Sequence, residues 1–424
     1  MATTTAYTHL SPRVEVLDNG MRVALEHLPY LHSASVGVWI KTGSANERPE
    51  IAGISHFLEH LFFKGTKTRT ARELMDAIES RGGQMNAFTS REYTCLYVKT
   101  LDRHVATAIE ILADVLKNSI YADLEKERNV ILEEIASAID VPEDYVHDVL
   151  SQHIWPDHSL GKPVAGFEET VSTISLDDVS SYKKAWYRPE NMYFCIAGRF
   201  DEDAVLAQVR EAFDGIETGP AETRFGVPAW NSGPKLVERD IAQDHLLLAF
   251  PGPTIVDPRR HAYDVLTSVL GGGSTSRLFE RIREDAGLAY SIYAFHSGYL
   301  TSGMLGVYAA IAPENLQQAL DLCCVEMRDL CEKSIEAGEL ESNAEQLKGG
   351  LLLALEGTFN RMARMGRSLM YFDRLVPVEE VLENVDSVTA DDLRSLAESV
   401  FTASNCAITI LGPSAGDAPR LALS

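Results

Sequence analysis

Ile174-Ser-Leu-Asp177-Asp178-Val179 returns 214 positions later as Val388-Thr-Ala-Asp391-Asp392-Leu393. The same register carries Tyr187 onto Phe401, Asn191 onto Asn405 and Gly198 onto Gly412 without a gap. Half of a 424-residue chain separates the copies, so the chain reads as one design used twice. Each copy spells a helix with Ser175 or Thr389 as N-cap and acidic residues in its first turn, then a turn at the Asn, then an apolar strand ending at Gly. A looser pair, Val36-Gly-Val-Trp-Ile40 and Leu246-Leu-Leu-Ala-Phe250, lies about 210 residues apart and reads as a strand leading into a helix, the drift implying small insertions.

Residues 215–236 (GIETGPAETRFGVPAWNSGPKL) carry Gly and Pro punctuation with little periodicity and read as a linker between domains at 1–214 and 237–424. Within the halves, strand-like runs (22–25, 35–41, 93–99, 193–197) alternate with helix-like runs (53–62, 71–80, 105–117, 124–139). Hairpin-like strands beside longer helices give an α+β fold class, two tandem homologous domains with helices packed on a sheet.

The composition excludes several classes. With 45% apolar and 24% charged residues the chain can bury sizeable cores, and it is neither disordered nor fibrous. A net charge of −24 repels phosphate backbones and anionic membrane surfaces, so neither nucleic acid nor a membrane is expected as a partner; cationic peptides fit better. The first twenty residues lack the apolar core of a secretory leader and the Arg-rich pattern of a transit peptide. No apolar run approaches the ~20 residues of a membrane helix. The six cysteines form no CxxC pair and sit in apolar patterns, which points to buried reduced thiols. A cytoplasmic protein is the expectation.

The chemistry concentrates in Ser55-His56-Phe57-Leu58-Glu59-His60-Leu61, an HxxEH motif. On a helix, His56 and His60 project from one face and both imidazoles can reach one Zn²⁺ at ~2.0–2.1 Å, while Glu59 borders that face and can hold a water. The order reverses HExxH. A catalytic zinc needs a third protein ligand and an open position. Candidates lie on 124–139, where Glu127 and Glu134 are seven apart on one helix face; one can bind metal while the other orients a ligand from behind. His147, His153 and His158 follow at irregular spacing and read as surface or loop histidines.

The run from Gly43 through Gly53, continuing to Thr66, together with Glu127-Arg-Asn-Val-Ile-Leu-Glu133-Glu134-Ile, resembles the inverted-motif zinc metallopeptidases of the pitrilysin, insulinase and mitochondrial processing peptidase superfamily, most closely the shorter processing-peptidase branch. The resemblance spans roughly residues 12–412. It implies domains built on mostly antiparallel sheets, one Zn²⁺ per chain held by His56, His60 and Glu134, Glu127 behind the ligands and Glu133 a bland neighbour. Glu59 is then the general base and acid. Asn86, Ala87, Phe88 and Thr89 resemble the edge strand that pairs with substrate backbone, although Gly82-Gly83 and Asn86 also suit an ordinary hairpin turn. Arg283 and Tyr290 match the arginine and tyrosine that reach substrate from the second domain, Tyr290 toward the oxyanion. The second half lacks HxxEH; His261–Leu270 keeps the helix without the ligands.

The implied activity is metalloendopeptidase cleavage of unfolded or extended peptides in a closing chamber, completed by the second domain and by a homodimer partner. Two alternatives remain: a non-catalytic core or partner subunit of the same fold, and a structural zinc protein with a closed four-ligand site. If the acidic excess lines the chamber, cationic peptides are cut faster than neutral ones at low ionic strength, and raising salt shrinks that preference. Cleavage rates for matched peptides across a salt series test this, and equal rates throughout would reduce the charge to a solubility role.

Overall fold

The computed structural model describes residues 12–220, 226–416 and 419–423; residues 1–11, on which the reading of no leader partly rests, and 221–225 of the linker lie outside them. Strands that are apolar and buried along nearly their whole length form the centre of each of two sheets. The first contains β1 (Arg13–Val16), β2 (Arg22–His27), β3 (Ser33–Ile40), β4 (Gln84–Thr89), β5 (Thr94–Leu101) and β6 (Met192–Gly198), in the order β1-β2-β6-β3-β5-β4. The second contains β7 (Gly233–Glu238), β8 (Asp244–Pro251), β9 (Ala289–Gly298), β10 (Gly303–Ile311) and β11 (Ala407–Gly412), in the order β7-β11-β8-β10-β9. Without β1 the two orders are the same, and each sheet has one parallel pair, β2 with β6 and β7 with β11, among antiparallel neighbours.

The repeat holds to the level of single hydrogen bonds. Val36 pairs with Ile196 and its counterpart Leu246 with Ile410. Ser175 accepts from the Asp178 N–H at 3.2 Å while Asp178 accepts from the Ser175 N–H at 3.0 Å; Thr389 and Asp392 repeat this capping box at 3.2 and 2.9 Å. The Asn191 amide donates to Trp186 O at 3.0 Å, and the Asn405 amide to Val400 O at 3.4 Å. At Gly198, φ is 135° and a Cβ would sit 2.3 Å from Ser33 O, so the strand tip can pass the start of β3 only without a side chain.

The described residues divide into two compact units that differ from the linear halves: 12–132, 164–220 and 354–375 form one, and 133–163, 226–353, 376–416 and 419–423 the other. Helix Thr358–Phe372, from the second half, lies on the first sheet. There the Trp39 indole N–H donates to Met362 Sδ at 3.1 Å, Lys41 Nζ donates to Met370 O at 2.8 Å, and Arg361 pairs with Glu26 at 2.6 Å. Gly366 is required by the close approach, since a Cβ would come 2.7 Å from the Trp39 ring. Helix Pro142–Ile154, from the first half, likewise belongs to the second unit, where it packs on β8 and β11.

Three sequence expectations change here. His147 and His153 are not surface residues: they face the second sheet from helix Pro142–Ile154, His147 Nε2 at 3.0 Å from the Tyr293 hydroxyl and His153 Nδ1 at 3.1 Å from Thr409 Oγ1. His158 is the loop histidine expected, its Nε2 3.1 Å from Gly226 O. The linker ends earlier than read, because 233–236 already pair in register with β11; Gly233-Pro234 hid the strand by resembling a turn. The cysteines are free thiols, all buried except the half-buried Cys331. No helix among the described residues is long and apolar enough to cross a membrane.

Ser175→Ala and Thr389→Ala each remove one N-cap and should each cost about 1 kcal/mol. Their caps share no partner, so urea unfolding of the double variant should show the two losses adding.

Candidate metal centre

Helix Ile54–Phe62, the metal helix, buries Ile54, Phe57, Leu58, Leu61 and Phe62 on one side and leaves His56, Glu59 and His60 half-exposed on the other. Its N-terminus lacks an N-cap side chain. Instead the buried Glu47 carboxylate accepts from the Gly53 N–H at 2.7 Å and the Ser55 N–H at 2.8 Å, supplying both acceptor and negative charge to the helix start. Gly53 (φ 96°) and Gly166 (φ 79°) permit this entry: a Cβ on Gly53 would lie 2.5 Å from Ala165 O, and one on Gly166 2.3 Å from Ala52 O. Ser55 Oγ, 2.7 Å from the buried Tyr182 hydroxyl, ties the same turn to Thr42 on that hydroxyl at 2.8 Å.

Helix Leu124–Ile139, the glutamate helix, supplies the carboxylates and runs unbroken past the division at Leu132. Glu127, 2% exposed, lies 3.4 Å from His60 Nδ1 and 2.7 Å from Lys64 Nζ. Holding Nδ1 leaves His60 Nε2 as the ligating nitrogen. Arg128 fixes the helix: its guanidinium donates to Val171 O, to Ile174 O at 2.8 Å and to Glu125, and it lies 5.5 Å over the Phe57 ring of the metal helix. Two turns beyond Glu127 comes Glu134.

Ligand atoms of His56, His60 and Glu134 all lie within 4.8 Å of one another, the one such group among the described residues. The rings of the two histidines meet edge-on at 4.7 Å. Burial, and then the neighbouring His60, pushes His56 down to about 4, so it is the neutral imidazole that binds metal. Two imidazoles and one carboxylate form the three-ligand set of a catalytic zinc site, which keeps a fourth position open; this fits zinc better than Ca²⁺ or Mg²⁺, which take oxygen ligands. Glu133 is outside the cluster. Glu59 is outside it too, its Oε2 accepting from Thr89 Oγ1 at 2.5 Å.

That contact gives Thr89 a place sequence reasoning did not foresee. Asn86, Ala87, Phe88 and Thr89 do form an edge strand, β4, with β5 on one side only. Thr89 ends it at the Glu59 carboxylate, and Asn86 Oδ1 accepts from the Ala87 N–H at 2.8 Å. Arg283 and Tyr290 belong to the second unit and meet each other: Arg283, on the π-helical turn Phe279–Asp285, lies 4.8 Å over the Tyr290 ring and 4.6 Å over that of Phe279. Tyr290 is 79% exposed. The helix equivalent to the metal helix, Arg260–Gly271, carries His261 Nδ1 at 3.2 Å from Asp264 and joins no metal group. Glu47, Lys64 and Arg128 escaped the sequence reading. Only the HxxEH neighbourhood hinted at Lys64, and nothing local marks Glu47 as a cap six residues upstream.

Residues 22–168 match the family described as Insulinase (Peptidase family M16), and residues 173–347 the one described as Peptidase M16 inactive domain. The chain is 40% identical over 398 residues to an uncharacterized zinc protease of Bacillus subtilis, covering 93% of this chain and 97% of that one. It is 37% identical over 411 residues to an uncharacterized zinc protease of Streptomyces coelicolor, covering 95% and 89%. In fold it resembles a protease from Helicobacter pylori, with TM-score 0.88, 22% identity and 95% and 99% coverage. A chain of complex III2 from Candida albicans has TM-score 0.84 at 18% identity, with 95% and 96% coverage.

Glu127→Ala should lower zinc affinity about ten- to a hundredfold, because it frees the His60 ring and strands Lys64. Competition against a chromophoric chelator measures this; His60→Ala, which removes a ligand outright, should lose more.

Proposed function

Because the chain belongs to the insulinase family of peptidases, family M16, we propose that it is a zinc metalloendopeptidase that hydrolyses unfolded or extended polypeptides in the manner of a processing peptidase. The observation that carries this reading is the convergence of His56, His60 and Glu134 beside a separate carboxylate, Glu59, that is not needed as a ligand. A bound zinc ion, one per chain, supplies Lewis acidity to the scissile carbonyl and to a water.

The chain's own groups do the rest. Glu59 takes the proton of the attacking water and returns it to the leaving amine. Thr89 ties Glu59 to the end of β4, so the strand that receives substrate backbone also sets the position of the proton acceptor. Main-chain pairing along Asn86–Thr89 gives affinity with little sequence demand. Glu127 keeps the His60 ring oriented. Arg283 and Tyr290 are assigned to holding substrate backbone and the developing oxyanion. A cytoplasmic homodimer acting on basic peptides completes the proposal.

The second reading, a non-catalytic core or partner subunit, draws on the likeness to a chain of complex III2 and on the inactive-domain match of residues 173–347. That match begins at residue 173, beyond HxxEH and both glutamates, and a scaffold has no use for the Glu127 clasp behind His60 or the Thr89 contact to Glu59.

Glu59→Gln should keep zinc and lose at least a hundredfold in kcat on a quenched basic peptide, as general acid–base groups contribute about 10²–10⁴. Zinc content and chelator-sensitive turnover are measured on the same preparation. Near-normal turnover by the variant would sink the mechanism, and no chelator-sensitive cleavage by the wild type would favour the subunit reading.

A further inference from the structure

In a chain of net charge −24, one cavity of the first unit is basic. It measures about 460 Å³ and lies among the end of helix Val105–Asn118, helix Leu176–Trp186 and the turn at 215–217. Lys67, Lys117, Lys183 and Lys184 line it with one carboxylate, Glu217. Two of the four cations are engaged: Lys117 Nζ donates to Ala212 O at 3.1 Å and Asp214 O at 2.6 Å, and Lys184 faces Glu217 at 3.7 Å, with Arg188 on the same carboxylate at 3.5 Å.

Lys183 and Lys67 have no carboxylate partner among the described residues. The half-buried Lys183 ammonium has only the face of Tyr121, 5.5 Å away, and Tyr121 is held there in the left-handed region (φ 50°). Burial, with Lys67 second, pushes Lys183 down to about 8, so a sizeable fraction is free amine at neutral pH. An exposed lysine near 10.4 holds less than about 0.1% of the free amine at pH 7.4. Cationic lining also draws anions in.

We propose that Lys183 is an acylation site, whose amine accepts an acyl group from small acyl phosphates that enter the Lys67-flanked cavity. The amine nitrogen attacks the acyl carbon and an N–C bond forms. The bond between the acyl carbon and the bridging oxygen breaks, inorganic phosphate leaves with that oxygen and the electron pair, and the nitrogen's extra proton passes to solvent. No oxidant or reductant is needed. The alternative is that these lysines only complement the last turns of their helices, where Lys117, Lys183 and Lys184 all sit.

The folded protein is treated with acetyl phosphate at pH 7.5, digested with a Glu-specific protease, and acetylation rates are read by mass spectrometry at Lys183, Lys184 and the exposed Lys126. Lys183 should react about tenfold faster than either. Lys67→Met, an exposed change, should slow Lys183 several-fold while leaving Lys126 unchanged. Inorganic phosphate should protect Lys183 more than chloride at equal ionic strength, and p-nitrophenyl acetate, an uncharged donor, should show a smaller preference for Lys183 over Lys184. Lys183 reacting no faster than Lys184, or indifference to both Lys67 and phosphate, would overturn the proposal and leave the helix-end role.

Discussion

Everything at the metal centre depends on one buried carboxylate being satisfied. Glu127, 2% exposed, would be costly to bury as a lone charge; Lys64 at 2.7 Å and the His60 ring at 3.4 Å make it tolerable. Both partners come from the end of the metal helix and its exit, so satisfying Glu127 also locks that helix to the glutamate helix. The register of the glutamate helix is then set, and Glu134, two turns on, falls beside the histidines without further adjustment. Arg128, adjacent in sequence, secures the other face by capping Val171 and Ile174 carbonyls and lying on Phe57. Removing Glu127 therefore frees a ligand ring, leaves Lys64 without its partner and loosens two helices at once.

The start of the metal helix obeys a similar logic at longer range. Glu47 reaches six and eight residues ahead to the Gly53 and Ser55 N–H groups, replacing a local N-cap. A serine or aspartate at position 53 would have capped the helix, but Ala165 and Gly166 press on that position and exclude any side chain. Close packing of two loops thus forced the cap to come from elsewhere.

This difference between local and distant constraint explains what the amino-acid order revealed. The capping boxes at Ser175 and Thr389, the strand ends at Gly198 and Gly412, and the HxxEH face are short-range patterns with fixed spacing, and all were legible. Glu127 and Glu134 were legible as a pair on one helix face; which of them binds metal came from family resemblance, not from the spacing. Glu47, Arg128 and the Thr89 contact to Glu59 pair residues from 6 to 46 positions apart, and no periodicity encodes them. His147 and His153 were misread for the same reason: their partners Tyr293 and Thr409 lie 146 and 256 positions away on the second sheet.

The two halves found in the sequence are repeats, but they are not the compact units. If residues 1–214 formed a unit alone, the face of β3 and β6 would lack helix Thr358–Phe372, exposing Trp39 and leaving Glu26 without Arg361. Trp39 is 1% exposed only because Gly366 lets that helix approach the indole, and Gly37 leaves room for Met362. A large buried aromatic contributes several kcal/mol, so the first unit reaches its stability only after the chain has passed residue 372. The second unit likewise draws helix Pro142–Ile154 from the first half. Duplication accounts for the matching strand orders; the exchanged helices make the halves interdependent, because each sheet is covered in part by a helix from the other half of the sequence.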